Sequence, residues 1–198
     1  MKVLLNGRRG RVGSVLGPGL EAAGHVLVDS LADAEAMVDF TVPGAALANV
    51  QDAITAGVPS VVGTTGWDVE PVRDAPVAVF YAPNFALGAV LLMRFAAAAS
   101  RYLEAAEIVE LHHEGKLDRP SGTAKLTAQR MAGEVPIHSV RLPGLNAHQE
   151  VVFGSAGQTL TMRHDAISRE AYTPGVLLAL DKLHTLPPGL TVGLDALM

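Results

Sequence analysis

Two adjacent imidazoles, a lysine and a Ser-Gly-Thr step lie together between Glu110 and Thr123, in the order Glu-Leu-His-His-Glu-Gly-Lys-Leu-Asp-Arg-Pro-Ser-Gly-Thr. His112 and His113 belong to the one side-chain type that exchanges protons freely near neutral pH. Lys116 and Arg119 add positive charge. Ser121 follows Pro120 and precedes a helical run from Gly122 to Met131, which is the position of an N-cap. A helix N-terminus behind a basic loop attracts anions, and imidazoles beside it are proton donors to whatever binds. The chemistry on offer is protonation of an anionic substrate. The residues of this stretch alone are equally compatible with a solvated loop carrying two surface histidines. The element that must position them is the strand before: residues 106–111, Ala-Glu-Ile-Val-Glu-Leu, alternate between apolar and polar and run directly into His112.

A second chemical pattern opens the chain. Lys2 to Asn6 is a short apolar run fit for a buried parallel strand, followed at once by Gly7-Arg8-Arg9-Gly10-Arg11-Val12-Gly13 and a helix-like segment to Ala23. Strand, glycine-rich turn and helix in this order read as a dinucleotide site. Gly7 permits the tight turn, Gly10 the close approach of a pyrophosphate, and Gly13 the packing of helix on strand. Pro18 predicts a kink or a late helix start. A strand over 25–28 ends at Asp29, placed to hold the adenine ribose hydroxyls. Ser30 follows rather than a basic residue, which favours NAD over NADP, because a carboxylate repels a 2′-phosphate. Arg8, Arg9 and Arg11 are near enough to reach a phosphate and keep NADP open.

The next strand, residues 36–40, begins too soon for a crossover helix, so one βα unit of a full doubly wound domain is missing. A helix over 41–56 and a strand over 58–62 lead to Gly63-Thr64-Thr65-Gly66. A strand over 77–81 leads to Ala82-Pro83-Asn84-Phe85. Such turns lie at the carboxyl edge of a parallel sheet, where ligands bind. A long apolar helix over 86–101 leads into a different pattern. Segments 137–141, 150–153 and 159–164 alternate and read as antiparallel strands, with Gly154 to Gly157 as a turn. A last helix over 168–183 is interrupted by Pro174-Gly175, and an apolar tail closes the chain. The expected fold is α/β: a shortened Rossmann-type dinucleotide-binding domain over 1–84, completed by about 174–198, and an α+β domain over 85–173 with an open mixed sheet. That second domain is expected to bind substrate and to oligomerise, since its strands are rich in Val, Leu, Phe and Thr and leave an apolar face to cover.

Composition narrows the classes. Of 198 residues, 49% are hydrophobic and 18% charged, as in a globular chain and unlike a disordered one. A formal net charge of -5 and a pI near 5.8 argue against nucleic acid as a partner. Cysteine is absent, so thiolate chemistry and disulfides are excluded. The apolar run from Ala86 to Ala99 contains Arg94 and is shorter than a bilayer span, and the opening Met-Lys-Val-Leu-Leu-Asn-Gly is too short for a signal peptide. No membrane partner is expected, and the cytoplasm is the default location. His138, His148 and His164 have no metal-ligand spacing, so no metal is expected.

Taken in order, the Gly7–Gly13 turn, Val38-Asp39-Phe40-Thr41, Gly63-Thr64-Thr65-Gly66, Ala82-Pro83-Asn84-Phe85, the segment from Glu110 to Ala124, Val140-Arg141-Leu142-Pro143-Gly144, the segment from His148 to Gly154 and Arg163-His164 resemble the dihydrodipicolinate reductase family over nearly the whole chain. The resemblance implies an NADH- or NADPH-dependent reductase. It would convert a cyclic unsaturated imine dicarboxylate, 4-hydroxy-tetrahydrodipicolinate or dihydrodipicolinate, to tetrahydrodipicolinate in diaminopimelate and lysine biosynthesis. It implies that Gly7, Arg8, Arg9, Gly10, Arg11, Val12, Asp29, Gly63, Thr64, Thr65, Ala82, Pro83, Asn84 and Phe85 line the nicotinamide nucleotide. His112 is then the acid, Lys116 a second donor that also holds a carboxylate, His113 a substrate contact, and Ser121, Gly122 and Thr123 the carboxylate site. A homotetramer is implied as well. The chain departs from the family in its shorter nucleotide domain and in Arg8-Arg9, where small residues are common. Two alternatives remain: a nucleotide-binding regulatory protein that has lost catalysis, and another small NAD(P)-dependent imine or amino-acid reductase. With no apolar anchor other than Leu117, the loop over 113–120 is expected to be mobile when empty, with Lys116 folding over a bound dicarboxylate.

Overall fold

Val3, Met37, Val38, Val61, Val62, Val79 and Phe80 are completely buried, as short parallel strands covered on both faces require. They belong to β1 (Lys2–Asn6), β3 (Ala36–Asp39), β4 (Ser60–Val62) and β5 (Ala78–Tyr81), with β2 (Val26–Val28) at the rim beside β1. The computed structural model describes residues 1–198. Helix α1 (Gly13–Ala22) follows the glycine turn and α2 (Pro43–Thr55) follows β3. A short 3₁₀ turn, Leu31–Asp33, is all that joins β2 to β3, and Ser30 Oγ accepts the N–H of Ala32 at its start. The crossover helix and outer strand of a full doubly wound sheet are therefore absent, as the spacing predicts. Pro18 does not delay α1, which begins at Gly13 and includes it. Pro18 is the sixth of the ten helix residues, and it removes the bond to the Ser14 carbonyl.

The second unit, Leu87–Ser168, is continuous in sequence. It holds α3 (Leu87–Ala99), β6 (Ala105–His112), α4 (Gly122–Arg130), β7 (Ile137–Arg141), β8 (Ala147–Ser155) and β9 (Gln158–Ala166), with the strands in the order β7-β6-β8-β9. One expectation is corrected here. β7 runs parallel to β6, Ile108 opposite Ile137 and His112 opposite Arg141, because α4 serves as the crossover between them. Only β8 is antiparallel to β6, and β9 to β8. The turn of that hairpin is also tighter than expected. Gly154 stays paired in β8, and only Ala156 and Gly157, the latter at φ 76°, lie between the strands. One face of the sheet contributes Ile108, Val151 and Phe153 to a core with Leu92, Ala96, Ala124 and Met131. Val109, Leu111, Val140 and Val152 alternate onto the other face and are half-buried.

The chain then returns to the first unit, which comprises Met1–Ala86 and Arg169–Met198. Pro174 stands in the first turn of α5 (Thr173–Leu183), so the Pro-Gly pair starts this helix instead of interrupting one. β10 (Gly189–Val192) adds a sixth parallel strand against β5.

Candidate active site

Strand periodicity puts Ile108, Glu110 and His112 on one face of β6, and the Glu110 side chain is 0% exposed. A carboxylate so placed needs partners, and it has several. Arg141, itself 1% exposed, donates Nη1 to Oε2 at 2.8 Å and Nη2 to Oε1 at 2.7 Å. His112 Nδ1 meets Oε2 at 2.5 Å, and the N–H of Ser121 donates to Oε1 at 3.3 Å. Burial pushes the Glu110 carboxyl up, but hydrogen bonds from Arg141, Ser139 and His112 outweigh it, so the group titrates below its ordinary value. Burial also dominates at His112 and lowers it. The Glu110 carboxylate opposes that shift, and the charges of Lys116 and Arg141 reinforce it.

The loop between strand and helix has polar anchors and, as its sequence predicts, no apolar one. Leu117 is 96% exposed and holds nothing, but Arg141 also donates Nη2 to the Asp118 carbonyl at 2.7 Å and Nε to the Lys116 carbonyl at 3.3 Å. Lys116 Nζ meets Asp118 Oδ1 at 2.7 Å. That hydrogen bond, helped by one from the Gly122 N–H, holds the Asp118 carboxyl below its ordinary value. Ser121 caps α4 as its position predicts, its Oγ accepting the N–H of Ala124 at 3.2 Å. His112, Lys116, Ser121 and Gly122 thus come together around one buried carboxylate and one loop carboxylate. His113 is exposed, and Thr123 is half-buried in the first turn. Reasoning from the sequence missed Glu110, Arg141 and Asp118 as members of the site. Its alternation pattern did carry a signal for Glu110, two residues before His112 on the same strand face.

In the first unit the glycine turn closes with a hydrogen bond from the Gly10 N–H to the Gly7 carbonyl at 2.7 Å. Gly7 has φ 82°, and a Cβ there would overlap the Phe40 carbonyl, while one on Gly13 would overlap the Gly7 carbonyl. Gly7, Arg8, Arg9, Gly10, Leu27, Val28 and Asp29 line one cleft of about 570 Å³. Glycine backbone and carboxylate share that cleft, which fits a pyrophosphate and a ribose. Arg8 is paired with Glu21 at 3.4 Å. Arg11, Val12, Gly63, Thr64, Thr65 and Ala82 to Phe85 lie outside the cleft. The turns after β3 and β4 are knit by Asp39, which is fully buried and accepts from Thr41 Oγ1 at 2.9 Å, Thr64 Oγ1 at 2.6 Å, Asn49 Nδ2 at 2.7 Å and the Thr41 N–H at 3.2 Å. The Phe85 ring is core, 5.5 Å from Phe40 and 6.0 Å from Phe80 between centroids, and Ala82 is buried. Thr65 is exposed, and Asn84 Oδ1 accepts the N–H of Ala86.

Residues 88–198 match the family model for dihydrodipicolinate reductase, C-terminus, and residues 18–85 the model for its N-terminus. The chain belongs to the dihydrodipicolinate reductase family. It is 42% identical to the 4-hydroxy-tetrahydrodipicolinate reductase of Mycolicibacterium vanbaalenii over 245 aligned positions, covering 100% of this chain and 99% of that one. It is 44% identical to the protein of the same name from Moorella thermoacetica over 217 positions, covering 91% and 81%. The fold superimposes on the dipicolinate-bound dihydrodipicolinate reductase from Paenisporosarcina sp. TG-14 with a TM-score of 0.84 at 28% identity, over 100% and 99% of the two chains. An alignment longer than the chain's 198 residues means that the first relative carries segments absent here. The N-terminal family model begins at Pro18, whereas the alignment to the first relative covers the whole chain, the glycine turn included.

Proposed function

We propose that this chain is a 4-hydroxy-tetrahydrodipicolinate reductase, reducing that cyclic imine dicarboxylate, or dihydrodipicolinate, to tetrahydrodipicolinate in diaminopimelate and lysine biosynthesis. The likeness to reductases of that name over the full chain supports it. The observation that carries it is the gathering of His112 and the α4 start around buried Glu110, with Lys116 held beside them by Asp118.

NADH or NADPH supplies a hydride when bound. Hydride and proton together saturate part of the conjugated C=N/C=C system, and water leaves when the 4-hydroxy form is the starting material. The chain's residues do the rest. Lys116 exchanges Asp118 for a substrate carboxylate, and N–H groups at Gly122 and Thr123, with Ser121 holding the cap, receive the same carboxylate with the helix dipole behind them. His113 lies against the substrate. His112 delivers the proton, a contribution typically worth about 10²–10⁴-fold in rate. A dicarboxylate beside the ring offsets the Lys116 and Arg141 charges, raising His112 toward the charged form an acid needs.

Gly7, Arg9, Gly10 and Asp29 line the cleft assigned to the adenosine side of the cofactor. Asp29 favours NADH, and Arg9 is the group available to a 2′-phosphate. Arg8, Arg11, Val12, Gly63, Thr64, Thr65, Pro83 and Asn84 complete the assigned surface, with Ala82 and Phe85, at 0% and 2% exposure, packed beneath it. Residues 1–84 with about 174–198 are assigned to cofactor, and 85–173 to substrate and assembly. The half-buried row of Val109, Leu111, Val140 and Val152 supports packing of sheet against sheet in a homotetramer. A cytoplasmic location accords with the pathway.

Steady-state oxidation of NADH and of NADPH with freshly made synthase product tests the activity. Turnover with at least one is expected. Cofactor binding without turnover is the outcome a regulatory protein would give, and it would overturn the proposal.

A further inference from the structure

We infer that Glu110 is the positioning residue of the proton donor: it fixes the tautomer and orientation of His112 and its distance from the substrate-carboxylate site. The inference rests on His112 being the acid. Nδ1 of His112 faces Glu110 Oε2 at 2.5 Å, so in the neutral ring Nδ1 carries the proton and Nε2 is the nitrogen left to exchange one with substrate. The carboxylate cannot turn away, because Arg141 grips both of its oxygens. Its other oxygen receives the N–H of Ser121, the cap of α4. One rigid group therefore holds both the imidazole and the helix start whose N–H groups are assigned to the substrate carboxylate. A purely structural ion pair would need Arg141 alone.

The same carboxylate sets how long His112 stays charged. Facing the ring are Glu110 on its own strand, Arg141 opposite it on β7, and Lys116 from the loop, itself paired with Asp118. On β8 the residues opposite His112 and Glu110 are Ala147 and Gln149, which do not ionise. Glu110 is thus the one anion acting directly on the ring, against two cations and burial.

The test is Glu110→Gln, which keeps the shape and removes the charge, measured beside His112→Asn. In the parent protein kcat falls as pH rises through the His112 pKa in the substrate complex. Glu110→Gln should move that limb toward lower pH by about one unit and lower kcat roughly tenfold above it, with NADH affinity unchanged. A folded Glu110→Gln protein whose limb coincides with the parent's overturns the inference. If the variant does not fold, ¹⁵N NMR of the His112 ring in the parent decides: a neutral ring protonated on Nδ1 supports the inference, and one protonated on Nε2 overturns it. Full turnover by His112→Asn would instead overturn the acid role on which the inference rests.

Discussion

Lys116 Nζ and Asp118 Oδ1 lie 2.7 Å apart, and the same carboxylate takes the N–H of Gly122. The loop's own anion therefore sits on both groups assigned to the substrate's anion, and an incoming carboxylate has to replace it. Asp118→Asn should tighten binding of pyridine-2,6-dicarboxylate. The Asp118 side chain is half exposed, so the gain is modest, roughly two- to fivefold. Calorimetric titration in the presence of NADH measures it, and weaker binding in the variant would show that Asp118 presents Lys116 instead of competing for it.

Lys116 and His112 should separate kinetically. Lys116→Ala removes a proposed substrate ligand and should raise KM while lowering kcat. His112→Ala removes the group proposed as proton donor and should lower kcat by about 10²-fold or more with a smaller effect on KM. Neither should alter NADH affinity, measured by fluorescence titration. A Lys116→Ala protein with the parent's KM would remove that residue from the substrate site.

Glu110 and Arg141 make stability depend on acid. A carboxyl whose pKa is lower folded than unfolded contributes stability above its unfolded value, and that contribution is lost as pH falls through the folded value. Urea denaturation midpoints should therefore drop below about pH 4.3, the unperturbed glutamate range. Arg141→Met strands the buried carboxylate and should cost about 3–5 kcal/mol at neutral pH. A loss under 1 kcal/mol would mean that water reaches Glu110.

Asp39 gives a test in the other unit. Thr64→Val removes a hydroxyl that donates to the buried carboxylate and accepts the Thr41 N–H at 2.7 Å. Asp39 keeps its bonds from Thr41 and Asn49, and the Thr41 N–H keeps its bond to Asp39, so the loss should be about 1 kcal/mol. The turns it ties are assigned to the cofactor, so NADH affinity should fall too. Unchanged affinity in a destabilised protein would confine the cluster to a structural part.

Local chemistry made much of this legible in the sequence. The glycine turn could be read because Gly7, Gly10 and Gly13 answer to steric demands of backbone on backbone, and the absent crossover helix because chain length bounds reach. The direction of β7 could not be read, since alternation reports which face a residue takes and is silent on which way its strand runs. The membership of Arg141 was hidden for the same reason. It lies 31 residues from Glu110 and meets it only because β7 is parallel to β6. Pro18 did not set the helix start, because the helix loses one hydrogen bond there and continues.

The six-stranded sheet is finished by residues that follow the whole second unit in the chain. Until α5 and β10 leave the ribosome, β5 is an open edge, and Phe85, whose carbonyl packs against Gly175, lacks that cover. The stretch Leu87–Ser168 has all its strands in one continuous piece and can close on itself beforehand. A nascent protein stalled just after residue 168 would therefore hold every residue of the second unit and an incomplete first unit.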